Sequence, residues 1–316
     1  MANFLKLVWN EQIKLFAKKS TWVMVGMLVV LVIGAGLLTY FFSGDVVNKE
    51  YGDNWREELT AENEKYQAEM SEEEFGGMYY QLDVERNTYH LEENIRPLSY
   101  DAWQFTFDNT LFMTLISLFA IITAASIVSN EFKWGTIKLL LIRPISRWKI
   151  LLSKYVSVFV FVALLVVVLL ISSMLVGGIL FGLNGLSPNM VMQTMNGFAE
   201  QNIPQAILRD YGFGLVSLIV MTTFAFMVST LFRSSAMAIG LSIFLLMAGG
   251  AIVGFLSRYE WAKFILFANT NLAQYFNGNT PMIEGMTLVF SVTVLIVYLV
   301  IFIAVAFGTF QKRDVA

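Results

Sequence analysis

Apolar runs punctuate the chain at residues 22–42, 109–129, 155–181, 211–232, 236–257 and 285–309. Each is long enough to cross roughly 30 Å of hydrocarbon as an α-helix. The run at 155–181 exceeds that minimum, which predicts a tilted or protruding helix. Only Arg233-Ser234-Ser235 separates the fourth run from the fifth, so these two form a tight helical hairpin. The pattern predicts an all-α polytopic membrane protein with six transmembrane helices.

The stretches between the runs are patterned too. In residues 3–19, Phe4, Leu5, Val8, Trp9, Ile13 and Phe16 fall near helical spacing, with Lys6, Lys14, Lys18 and Lys19 among them. This predicts an N-terminal amphipathic helix over residues 1–21, lying in the interface plane. Residues 43–107 predict a helical hairpin between the first two spans. Trp55, Leu59, Tyr66 and Met70 mark one face of its first helix, and Ser71 to Glu74 has capping-box character. Gly76-Gly77 interrupts the pattern, a second helix follows over 78–95, and Pro97 ends it. The loop at 182–209 predicts a short amphipathic helix at 189–200. Residues 258–284 mix Trp261, Phe264 and Tyr275 with asparagines, as at a membrane–water interface.

Composition agrees with a membrane setting. Hydrophobic residues make up 57% and charged ones 14%, against about 25% charged in soluble domains. The net charge of −3 hides an asymmetry. Residues 43–107 hold 16 acids and 5 bases, a net of −11, and the remainder holds 16 bases and 8 acids, a net of +8. Bases in the tail, in residues 130–154, at Arg233 and at Lys312-Arg313 fall on one side of the membrane. By the positive-inside rule both termini face the cytoplasm of a multi-pass cell-membrane protein, and the acidic hairpin faces outward. The run at 22–42 is too long for a signal-peptide core and lacks a small-residue cleavage site.

Candidate chemistry is sparse. The chain has no cysteine and a single histidine, His90. It lacks the phosphate-binding pattern G-x-x-x-x-G-K-[ST], as well as G-x-S-x-G and H-E-x-x-H. No catalytic or metal site is expected, and nothing points to nucleic acid. The acid pairs Glu57-Glu58 and Glu92-Glu93 lie in a segment so rich in carboxylates that they read as a solvated surface. The interiors of the spans hold no Asp, Glu, Lys, Arg or His. A carrier driven by protons or sodium usually needs such a group near the midplane. Ser172, Ser173, Thr222, Thr223 and Ser229 are the polar positions, and they read as helix–helix hydrogen bonds.

The remaining feature is the stretch 130–154, with Lys133, Lys138, Arg143, Arg147, Lys149 and Lys154 against one acid, Glu131. Leu139, Leu140 and Ile142 precede Arg143-Pro144, and a second amphipathic turn covers 145–152. Proline disfavours helix before it and suits the first turn of a new one. Two short interfacial helices meeting near Arg143-Pro144 are expected, with Ser146 near the second start. Glu131-x-x-x-Gly135-Thr136, then a Leu-rich run, then Arg143-Pro144-Ile145-Ser146-Arg147 and Lys154, resembles the intracellular loop of ABC-2 type transporter permeases. Phe132, Lys133 and Trp134 make its start more apolar and basic than the acidic version of that motif.

The resemblance implies a permease subunit of an ATP-driven exporter for an apolar or amphiphilic substrate, such as a drug, antibiotic peptide or lipid-like molecule. It would pair with a second permease copy or relative and with separate ATP-binding subunits carrying ATP and magnesium. This chain would hold no cofactor and catalyse nothing. Glu131, Gly135, Thr136, Arg143, Pro144, Ser146 and Arg147 would form the ATPase-coupling loop. Glu131 and the arginines would supply polar contacts or anchoring, and Gly135 and Pro144 would shape the bend. The first residues would be an elbow helix and 258–284 a re-entrant element. Two alternatives remain: a sensor or immunity protein whose acidic hairpin binds a cationic peptide, and a stand-alone channel or carrier.

Overall fold

The computed structural model describes residues 2–43, 47, 49–72, 77–136, 145–194, 197–276, 281 and 283–312. Helix α1 (Ala2–Phe16) turns sharply into α2 (Lys19–Phe42). The corner is closed by Thr21 Oγ1, which donates to Leu15 O at 2.5 Å, and by Trp22 Nε1, which donates to Phe16 O at 2.9 Å. Helices α3 (Trp55–Glu72) and α4 (Gly77–Glu92) follow and pack side by side. The rings of Tyr66 and Tyr80 stack at 5.0 Å, and Asn87 Nδ2 donates to Asn63 Oδ1 at 3.1 Å. Trp55 and Leu59 are buried, in keeping with the apolar face read from the sequence. Residues 73–76, in the expected cap and break, lie outside the described residues.

Next come α5 (Ala102–Asp108), a 3-10 turn at Asn109–Phe112, α6 (Met113–Lys133) and α7 (Arg147–Leu180). Strands β1 (Asn189–Thr194) and β2 (Gly197–Asn202) pair antiparallel, with Asn189 opposite Asn202 and Thr194 opposite Gly197. Helices α8 (Ile203–Phe232) and α9 (Ser235–Leu256) form the tight helical hairpin. Short helical turns at Glu260–Phe264, Leu266–Asn269 and Leu272–Tyr275 lead to α10 (Leu288–Lys312).

Among the described residues, six helices are long and apolar enough to cross a membrane: α2, the Ala102–Lys133 unit, α7, α8, α9 and α10. The chain is a helical polytopic membrane protein. Helices α6 and α8 form its centre, and α2, α9 and α10 leave most of their surface uncovered by this chain. The polar positions tie the spans together. Ser229 Oγ donates to Ala125 O at 2.5 Å, Tyr155 and Thr223 share a bond of 2.8 Å, and Asn109 Nδ2 donates to Ser173 Oγ at 3.0 Å. Gly36, Gly177 and Gly249 sit in close contacts, whereas Gly178 and Gly250 face open space.

Two expectations are corrected. Residues 189–200 form the β-hairpin instead of an amphipathic helix. Gly197 opens the second strand at φ +108°, a conformation open to glycine, and Val191 and Thr194 suit a strand. Residues 145–152 do not form a separate interfacial helix. Ser146 stands at the N-cap position, and one helix of 34 residues runs on from Arg147. No glycine or proline interrupts it until Gly177. At 1.5 Å per residue it spans about 51 Å, well beyond the hydrocarbon thickness.

Asp101 illustrates how the chain enters the second span. Its Oδ1 accepts from the backbone N–H of Trp103 at 3.0 Å and of Gln104 at 3.1 Å, and its Oδ2 accepts from Asn184 N at 3.0 Å. Those amides have no helical partner at an N-terminus. Asp101→Ala is expected to destabilise the purified protein by about 1–2 kcal/mol, read as a lowered melting temperature. Asp101→Asn retains most of the capping and falls in between.

Candidate functional site

The site begins where α6 ends. Trp134 closes the helix, and Gly135 takes φ +68°, a conformation that costs glycine nothing. The reversal carries Thr136 back over the last turn. Thr136 Oγ1 donates to Glu131 Oε2 and lies 3.4 Å from Glu131 O. This aims the other carboxylate oxygen of Glu131 inward.

There it meets Lys154, two turns inside α7. Lys154 Nζ donates to Glu131 Oε1 at 2.8 Å and to Glu11 Oε2 at 2.8 Å. Lys14 Nζ bridges the same two acids, at 2.9 Å from Glu11 Oε1 and 3.2 Å from Glu131 Oε1. The Lys154 side chain is 2% exposed, and Glu11 and Glu131 are 8% and 12% exposed. Two acids and two bases balance in formal charge, which is what burial of charge demands. Burial works against the charge on Lys14, but Glu11 and Glu131 outweigh it and raise its pKa above the usual lysine value. Lys18 is pushed the other way, by burial and by the neighbouring charge of Lys154.

The cluster joins three elements: α1 through Glu11 and Lys14, the end of α6 through Glu131, and the start of α7 through Lys154. Backbone contacts reinforce the α1–α7 seam. Gln12 Nε2 donates to Ser157 O at 2.9 Å, and Ser157 Oγ donates to Val8 O at 3.3 Å. The protein-facing side of α1 is therefore Glu11, Gln12 and Leu15, while Leu5, Trp9 and Ile13 remain exposed.

A second tie lies at the same end of the bundle. The guanidinium of Arg233 sits 4.7 Å over the ring of Phe132, and Phe132 meets Phe310 edge-on at 6.4 Å. Arg233 occupies the left-handed region (φ 53°) at the end of α8. Arg147 Nη1 donates to Gln311 O at 3.4 Å, linking α7 to α10.

Of the sequence-derived loop residues, Glu131, Gly135 and Thr136 come together at the end of α6. Ser146 occupies the N-cap position of α7 without a side-chain capping bond, and Arg147 opens the helix. Arg143 and Pro144 lie outside the described residues. Sequence reasoning missed Glu11, read Lys14 only as a base, and placed Lys154 in the loop pattern without assigning it a partner. A signal existed. Glu11 is the sole acid in the first 44 residues, and Glu131 is the sole acid from residue 109 to residue 199. Isolated acids amid bases at helix ends are candidates for buried pairing.

Residues 81–316 match the model of a family described as a protein of unknown function, DUF2705. The chain belongs to the DUF2705 family. It is 42% identical over 316 residues to the uncharacterized protein YhcI of Bacillus subtilis, with 99% of each chain covered. It is also 35% identical over 205 residues to the uncharacterized membrane protein YdbK of the same organism. That match covers 64% of this chain and 78% of YdbK. The YdbK description agrees with the helical membrane architecture of this DUF2705 member.

Proposed function

We propose that this chain is the membrane permease subunit of an ATP-driven exporter and that the Glu11–Lys154–Glu131 cluster is its coupling joint. The observation that carries the reading is Lys154, a buried cation held by acids from α1 and α6. Force applied to the loop between α6 and α7 passes through Glu131 and Lys154 into two spans and the N-terminal helix together. In this reading Glu131 acts as an internal anchor, and the exposed bases of the loop meet the ATPase. The exposed stripe of Leu5, Trp9 and Ile13 rests in the membrane interface as an elbow. The termini and the loop face the cytoplasm, and α3 and α4 form an acidic cap outside. A second permease chain covers part of α2, α9 or α10. The substrate is apolar or amphiphilic, in keeping with uncharged apolar runs at 155–181 and 211–232, Lys154 and Asp210 lying just outside them.

The test is co-purification of the tagged chain from its native membrane in mild detergent. An ATPase with a phosphate-binding loop is expected with the wild type and lost with Lys133→Glu combined with Lys149→Glu, two exposed bases outside the buried cluster. Recovery of the intact chain alone under several mild conditions removes the exporter reading and favours a channel or sensor.

A further inference from the structure

At the other end of the bundle, a cavity of about 230 Å³ lies where α4, the residue 95–98 linker, β1 and the tops of α5 and α8 converge. Its lining runs against the charge of its surroundings. Residues 43–107 hold 16 acids and only 5 bases. Three of those bases, Lys49, Arg86 and Arg96, line the cavity together with His90. None of the 16 acids lines it among the described residues. The acid that does is Asp108, at the top of the second span, whose Oδ2 accepts from Tyr100 OH at 2.7 Å.

The bases are unequally engaged. Lys49 pairs with Glu62, and Arg86 pairs with Asp83 on its own helix at 2.7 Å. Arg96 is exposed and has no ion pair among the described residues. His90 is buried, with Nδ1 2.8 Å from Ile95 O. The opposite part of the lining is apolar, with Leu98, Phe107 and Met190. The volume is below the roughly 300–1,000 Å³ of sites for drug-sized ligands. It suits a headgroup or a small ester, not a folded peptide.

We infer that this cavity binds the phosphate group of a small amphiphile, with Arg86, Arg96 and Lys49 facing the anion and Leu98, Phe107 and Met190 its apolar flank. Guanidinium forks match phosphate oxygens in geometry as well as charge. The phosphate comes from a membrane lipid headgroup or from a soluble ester. This site stands apart from the ATPase reading, since it uses none of the residues of the charge cluster.

The test is thermal unfolding of the full chain in uncharged detergent, titrated with inorganic phosphate or with phosphatidylglycerol in the micelles. Binding at about 100-fold over Kd is expected to raise the melting temperature by about 5 °C. Arg96→Gln removes an exposed, unpaired base and leaves the fold intact. It is expected to weaken the titration about tenfold, and Arg86→Gln added to it removes the shift. Arg56→Gln with Lys65→Gln takes the same charge from the same segment outside the cavity and leaves the shift unchanged. A shift with inorganic phosphate alone identifies a soluble source, and one requiring phosphatidylglycerol identifies a lipid. No shift with either probe, or equal shifts in all variants, overturns the proposal.

Discussion

Lys154→Met is expected to destabilise the purified protein by about 3–5 kcal/mol, the largest effect of any single substitution considered. Methionine keeps the length of the side chain, so the change removes charge without opening a large void. What remains is the penalty. Glu11 and Glu131 lose the ammonium that lies 2.8 Å from each. They stay buried, with only the half-exposed Lys14 between them. Removing one partner of a buried ionic set costs more than the set contributes, because the other charges have lost their water as well. Lys14→Met is expected to cost only about 0–1 kcal/mol, since solvent screens a half-exposed pair. A variant with Glu11→Gln, Glu131→Gln and Lys154→Met together should recover much of the loss, because no buried charge is left unpaired. Melting curves of the four proteins in one detergent decide the matter. A Lys154→Met protein as stable as wild type removes the buried cluster from the fold.

Gly177→Val is expected to cost about 3 kcal/mol, the upper end of overpacking effects. A Cβ at Gly177 stands 2.8 Å from Ala102 Cα and 3.1 Å from Phe105 Cδ1. A side-chain tip swings aside cheaply, but Ala102 is main chain at the first turn of α5. Its N–H donates to Gly182 O at 3.0 Å, and Asp101 beside it caps the helix. Relief therefore requires α5 and α7 to separate, which loosens the entry to the second span. Gly178→Val, one position along, meets nothing within 4 Å and serves as the control. Melting temperatures that fall equally for both variants point to helix propensity rather than to the α5–α7 contact.

Much of this architecture was legible because hydrophobic periodicity and run length report directly on spans. The runs at 22–42 and 236–257 differ from α2 and α9 by only a few residues at their ends. Other features were hidden for physical reasons. Residues 189–200 show apolar residues at spacings that suit either a helix or a strand, and Gly197, at φ +108° in the hairpin, is the residue that weighs against a helix. The unbroken α7 was obscured by its own amphipathic start. The bases at Arg147, Lys149 and Lys154 suggested a boundary, yet nothing in the backbone chemistry stops the helix there.

The charge cluster was half legible. Glu131, Gly135 and Thr136 stood out as a local pattern, because a turn of this kind is written in consecutive residues. Glu11 and Lys154 are separated by 143 positions. Their pairing depends on how α1 lies against α7, which no local spacing records. Phe132 departs from the acidic start of the ABC-2 loop that this stretch resembles. In the fold it is the ring that Arg233 and Phe310 meet.

The chain has no cysteine, so pairs of spin labels at introduced cysteines report without background. The most direct measurement places labels at Ala17, beyond the end of α1, at Trp148, near the start of α7, and at Met237, near the start of α9. Distances are measured in the complex with the proposed ATPase, with and without ATP. A coupling joint at Lys154 predicts an unchanged distance from Ala17 to Trp148 while the distance from Trp148 to Met237 shifts on ATP binding. Separation of Ala17 from Trp148, or no ATP-dependent change in either distance, contradicts it.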